Sequence, residues 1–283
     1  MKKALCILML LLIQTAPTRA DTGKGNKMPV FVTILPMAYF IERIGGEHVD
    51  VNVLVGPGQS PESFEPTSKQ LVQLAGARAF FSIGVPFEAE IVKRIQANFG
   101  NVEIVKTHTG IQLKESGHHH GVDPHIWLDP NLATIIAGNI YIGLAQLDPD
   151  RQNEYERNAK ELIYELSALD KEISEMLASF AGRKMYVFHP AFGYFAEAFG
   201  LVQISIEEGG AEPGSRHLAG IIHSAREENV PAIFTQPQFS GSSVRTIAKE
   251  IGADIIILDP LSRDYIRNMK YMAQQIKQAF NDE

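Results

Sequence analysis

The chain has 283 residues, 33 acidic and 26 basic side chains, a net charge of −7 with histidine neutral, and one cysteine. An acidic balance of this kind makes nucleic acid a poor partner and a cation a natural one. A single cysteine offers no intrachain disulfide, so stability must come from a large buried core.

The first twenty residues read as a secretory signal peptide. Lys2 and Lys3 precede an apolar run from Ala4 to Ile13, and a polar stretch ends Thr18-Arg19-Ala20. That run is too short to span a membrane, and cleavage is expected after Ala20. Its loss removes three cations (Lys2, Lys3, Arg19), no acids and Cys6, taking the net charge to −10 and leaving no thiolate. Cys6 lies too early in the apolar run for lipid attachment, so a lipoprotein is not expected. No other stretch reaches the roughly 18 apolar residues of a membrane helix. A periplasmic protein without stable membrane insertion, working as a monomer, is expected.

From residue 28 the chain alternates strand-like and helix-like segments. Val30–Leu35, Val49–Val55, Ala79–Ile83 and Val102–Val105 read as strands, with helices over Met37–Ile44, Thr67–Ala77 and Phe87–Phe99. Repeated βα units imply a parallel sheet covered by helices. Residues 106–130 break the pattern, and Asn131–Leu147 is helical. Asp148-Pro149 is a helix start, and Pro149 to Phe180 contains no internal proline or glycine. Its apolar positions, Tyr155, Ala159, Leu162, Leu166, Leu169, Ile173, Met176 and Phe180, are spaced alternately four and three, one face of a helix roughly 45–50 Å long. Such a stripe serves either a coiled coil or an intramolecular spine, and the spine is preferred. Strands then recur at Lys184–Phe188, Leu201–Ile206, Ala232–Thr235 and Asp254–Leu258, with helices at Ala191–Phe199, His217–Asn229, Ser242–Ile251 and Arg263–Phe280. The expected architecture is α/β: two Rossmann-like parallel-sheet lobes (28–148 and 181–283) joined by one long rigid helix (149–180), with a cleft between them. The halves show no close sequence repeat.

Residues 118–130 read His-His-His-Gly-Val-Asp-Pro-His-Ile-Trp-Leu-Asp-Pro and hold four of the nine histidines. His-rich tracts point to metal binding. His118–His120 stand beside Gly121 without apolar neighbours, whereas His125 is fixed between Pro124 and Ile126-Trp127-Leu128. Ligands of open parallel sheets bind beyond the carboxyl ends of the strands. Four donors fall there: Glu62 after the second strand, His125 after the fourth, His189 directly after the fifth, and Asp259 directly after the last. Two come from each half, and each has a proline beside it (Pro61, Pro124, Pro190, Pro260), which restricts the backbone. Oxygen and nitrogen donors meeting in a cleft suit a divalent transition metal.

The segments Gly56-Pro57-Gly58-Gln59-Ser60-Pro61-Glu62-Ser63-Phe64-Glu65-Pro66-Thr67, Asp123-Pro124-His125-Ile126-Trp127-Leu128-Asp129-Pro130, Phe188-His189-Pro190-Ala191-Phe192-Gly193-Tyr194-Phe195, Gln236-Pro237-Gln238-Phe239-Ser240 and Leu258-Asp259-Pro260-Leu261 resemble the zinc/manganese-type, adhesin-B-like solute-binding proteins of ABC transporters. The resemblance covers essentially the whole mature chain. It implies two α/β lobes, a connecting helix, one metal ion between the lobes, and delivery to an inner-membrane ABC permease. It maps the metal ligands as Glu62, His125, His189 and Asp259, or three of these plus water. One position departs from the pattern: Glu62 stands where such proteins usually carry histidine. A carboxylate there hardens the site and leans it toward manganese or ferrous iron, while the short His run resembles zinc-type members. Zinc is expected first and manganese second.

No enzyme activity is expected. A secreted zinc hydrolase would use Glu62 as general base, but the chain has no His-Glu-x-x-His helix. A metal-independent surface adhesin is the third reading. His48, His217 and His223 are expected at the surface, His108 at the start of the long loop, Glu207-Glu208 as an exposed acidic pair beside the cleft, and Trp127 and Phe192 as core behind their neighbouring donors.

Overall fold

The computed structural model describes residues 27–115, 121–239 and 242–281. The signal segment, with Cys6, and the His118–His120 run lie outside these residues.

Two four-stranded sheets, both wholly parallel, form the frame. The first is ordered β2-β1-β3-β4, from β1 (Met28–Val32), β2 (Val49–Val53), β3 (Ala79–Ser82) and β4 (Glu103–Lys106). The second repeats that order as β6-β5-β7-β8, from β5 (Lys184–Val187), β6 (Val202–Ser205), β7 (Ala232–Thr235) and β8 (Asp254–Ile257). Val30 faces both Val51 and Ala79 across β1's two edges, so β1 is a central strand. Val187 of β5 likewise pairs with Ser205 on one side and Phe234 on the other. The two lobes thus share one topology without sharing a legible sequence repeat.

Local chemistry sets the helix boundaries. In α1 (Leu35–Gly45) a first-turn proline starts the helix, and Gly46, at φ +57°, ends it. α2 (Ser68–Ala75) opens on a capping box, Thr67 accepting from the Gln70 amide and Gln70 reaching back to Thr67. α3 spans Glu88–Asn98, and α4 (Pro130–Leu147) is capped by Asp129, which accepts from the Asn131 amide at 2.8 Å. α5 (Gln152–Leu177) is regular for 26 residues, about 39 Å at ~1.5 Å per residue, with single 3-10 turns at Pro149–Arg151 and Ala178–Phe180. Its buried stripe takes Leu177 in place of the expected Met176, four residues after Ile173, and Phe180 is buried in the turn that follows. α6 (Gly193–Ala198), α7 (Ser215–Glu227), α8 (Ser242–Ile251) and α9 (Tyr265–Asn281) complete the second lobe.

The α5 stripe is covered from within the chain, by α1 and α4 on one side and α9 on the other, which settles the spine against a coiled coil. Tyr265 of α9 reaches the first lobe, its ring 4.7 Å from that of Phe40. The main apolar core therefore runs without a break from Val30 and Phe81, through Leu162 and Leu166, to Phe234 and Met272. Smaller cores back the outer faces, around Phe80 in one lobe and Ile233 in the other. Among the described residues, no helix is long and apolar enough to cross a membrane.

Candidate metal centre

The four candidate donors stand on loops at the carboxyl ends of β2, β4, β5 and β8, where the two sheets face each other. Glu62 is presented by the turn after β2. Gly58 adopts φ +74°, the Gln59 amide donates to the Gly56 carbonyl at 3.2 Å, and the Gln59 side chain accepts the Gly56 amide at 2.8 Å. The Glu62 amide donates to Ser60 Oγ at 3.3 Å. Phe64 then anchors the loop on Phe87, rings 5.3 Å apart.

His125 is buried and held by Asp123, two residues away across Pro124. Asp123 Oδ1 accepts both the His125 amide (2.9 Å) and His125 Nδ1 (2.8 Å). An ionised carboxylate can only accept, so Nδ1 carries a proton, and in the neutral ring Nε2 keeps its lone pair for another partner. Trp127, fully buried, packs its ring 5.2 Å from His125 and donates from Nε1 to the Pro260 carbonyl of the other lobe at 2.8 Å.

His189 has the same arrangement. Its Nδ1 lies 3.0 Å from Glu207 Oε1, and both side chains are buried. Gln236, at the end of the neighbouring strand β7, donates to the His189 carbonyl at 2.7 Å, and Phe239 stacks on the imidazole at 5.1 Å. The His125 and His189 rings approach to 5.5 Å at 72°. Glu62 Oε1 lies 3.3 Å from His189 Nε2. Metal–ligand bonds of about 2.0–2.1 Å in a tetrahedron place neighbouring donors about 3.3 Å apart, so this spacing fits two ligands of one ion as well as a simple ion pair.

Glu62, His125 and His189 line one small chamber of about 20 Å³. That is room for a water-sized guest. A wider cleft of about 800 Å³, walled by Glu62, Lys114, Asp123 and Gly193 among others, leads to it.

Asp259 is engaged differently. Its Oδ1 accepts the Leu261 amide at 3.0 Å and lies 3.4 Å from Gln238 Nε2, and its carbonyl accepts from Asn268 at 2.7 Å. Gln238 and the neighbours of Asp259, Pro260 and Leu261, line the small chamber, whereas Asp259 itself is not among the lining residues. Among the described residues, no three His, Cys, Asp or Glu side chains already form a ready coordination cluster. The structure thus gathers three of the four candidates and leaves Asp259 beside them.

Two partners of the histidines had no role in the sequence reading. Glu207, expected at the surface, is 2 % exposed because β6 lies next to β5 and delivers it to the back of His189. Only the strand order reveals that. Asp123 lay in plain view, two residues before His125. Of the remaining histidines, His223 is exposed beside Glu227 as expected. His48 instead pairs with Glu154 of α5 at 3.1 Å. His217 is half-buried, and His108 packs against Gly84.

A family model described as zinc-uptake complex component A, periplasmic (ZnuA), matches residues 30–279. The chain belongs to the ZnuA family of solute-binding proteins. It is 31% identical over 276 residues to the high-affinity zinc uptake system protein ZnuA of Bacillus subtilis, covering 91% of this chain and 86% of that one. A crystal structure of ZnuA superposes with a TM-score of 0.86 at 40% identity, covering 89% of this chain and 99% of the other. Zn(II)-bound AdcA of Streptococcus pneumoniae superposes with a TM-score of 0.78 at 27% identity. That match covers 89% of this chain but 57% of AdcA, so the ZnuA-family unit is one part of that longer protein.

Proposed function

We propose that this chain captures one zinc ion between its lobes outside the cytoplasm and hands it to an ABC permease, with Glu62, His125, His189 and Asp259 as the ligands. The observation that carries the reading is the matched pair of imidazoles. One from each lobe is tethered through Nδ1 to a carboxylate, half-buried Asp123 or buried Glu207, and they close on a chamber the size of an ion. Carboxylate–histidine pairs of this kind fix the ring and raise its basicity toward a metal. Relatives named for zinc uptake and zinc binding support the choice of ion. A capture protein needs no open coordination position for a substrate, in contrast to a metallohydrolase.

The test is a competitive zinc and manganese titration of the wild type, Glu62→His and Glu62→Ala, with metal analysis of protein from its native compartment. The wild type is expected to hold one zinc per chain in preference to manganese. Glu62→His keeps zinc and loses manganese affinity, because imidazole is the softer donor. Glu62→Ala weakens zinc. Unchanged affinity and selectivity in Glu62→Ala would remove Glu62 from the ligand set.

A further inference from the structure

We infer that Gly193 and Tyr194, at the start of α6, are positioning residues for His125: the second lobe holds the carboxylate that orients the first lobe's imidazole, so separation of the lobes and loosening of that ligand are one event. The inference rests on His125 being a metal ligand.

The chain of contacts is continuous. Lys114 and Asp123 are joined across the base of the long loop, the Asp123 amide donating to the Lys114 carbonyl at 2.9 Å, next to a bridge between Glu115 and Val122. The buried phenol of Tyr194 closes that base from the other lobe. Its oxygen accepts the Lys114 amide at 2.9 Å and donates to the Asp123 carbonyl at 3.2 Å. Burial raises the Tyr194 phenol above its ordinary range, which keeps it a neutral donor. The Asp123 carboxylate then lies against Gly193. A Cβ at residue 193 would stand 2.8 Å from Asp123 Oδ2, so the carboxylate approaches only because the side chain there is hydrogen. From this seat Oδ1 grips both the amide and Nδ1 of His125.

The bracing is reciprocal. Trp127, from the first lobe, donates to the carbonyl of Pro260, the residue after Asp259, while Tyr265 of α9 donates to the Trp127 carbonyl at 2.6 Å. Each of these two donor loops is therefore steadied by the opposite lobe. Moving α6 away from the long loop withdraws the Tyr194 hydroxyl and frees the Asp123–His125 pair without touching the ligand itself.

The test is a double-mutant cycle on the full mature chain, with Tyr194→Phe, Asp123→Asn and the double variant, read as the rate of zinc dissociation into excess chelator. Tyr194→Phe is expected to release zinc roughly 10-fold faster, and Asp123→Asn 10- to 100-fold faster, as for other groups that orient a metal-bound histidine. The double variant should match Asp123→Asn alone, because Tyr194 acts through Asp123. A merely structural tyrosine would give multiplying effects, and that result, or an unchanged rate in Tyr194→Phe, would overturn the inference. Should Tyr194→Phe fail to fold, Gly193→Ala reaches the same carboxylate from its other side and should also speed release. A wild type that takes up no zinc would instead overturn the zinc-capture reading beneath it.

Discussion

The two imidazoles of the cleft are oriented by carboxylates, but among the described residues the most perturbed carboxyl is elsewhere. Glu88, 3 % exposed at the start of α3, accepts the amides of Ile83 (3.0 Å) and Gly84 (2.6 Å) and the hydroxyl of Thr33. Burial pushes its carboxyl up to about 7, against the lowering effect of those hydrogen bonds. The folded state therefore holds this proton more tightly than the unfolded chain. The resulting stability is fully present below the ordinary carboxyl range and is lost as pH rises through about 7, on the order of 3 kcal/mol in all. Urea midpoints of metal-free protein between pH 5 and 8 should fall across this window more steeply in the wild type than in Glu88→Gln, which cannot titrate. Parallel curves would show that Glu88 does not carry the slope. At this scale the sequence was only partly legible. Glu62, His125 and His189 announced themselves by lying just past strand ends. Glu88 and Glu207 did not, because burial of a carboxylate depends on what the neighbouring strand brings over it.

Among the elements, α5 has the largest shared duty. Its seam of Tyr155, Ala159, Leu162, Leu166, Leu169, Ile173 and Leu177 is buried against helices of both lobes, while residues such as Lys171 face solvent. Leu166 is fully buried. Leu166→Ala should lower stability by about 2–5 kcal/mol through lost burial and the cavity left behind, whereas Lys171→Ala should stay within about 0.5 kcal/mol. Equal, small effects in denaturant melts would mean that the seam is not tightly packed. The period of that seam made the long helix readable from sequence, with its ends displaced by three residues, and the other helices were placed to within one or two. The strands were equally readable as β-branched runs. Their order was not, since period-two and period-three patterns say which face is buried but not which strand lies alongside. The identical order in both lobes is a property of chain crossing that no local residue encodes.

For the whole molecule, the decisive feature is that one apolar core is shared by both lobes. Two lobes joined only by a linker would each own a core and unfold separately. Here the apolar cluster passes unbroken from β1 and β3 of one sheet, through α4 and α5, to β5, β7 and α9 of the other. Tyr265 and Phe40 meet across it, and Trp127 is bonded from both directions by groups of the second lobe. Exposing either half would open the flank of the other, so a partly unfolded state carries much of the apolar cost of full unfolding with little of its entropy gain. The molecule should therefore melt in a single calorimetric transition whose calorimetric and van't Hoff enthalpies agree, despite its two sheets. Zinc bound as proposed, by residues of both halves, should move that one transition upward as a unit, by about 2.7 kcal/mol of stability when free zinc is 100 times the dissociation constant. Two resolved transitions, with zinc shifting only one, would mean that the lobes fold independently and that the continuous core does not couple them.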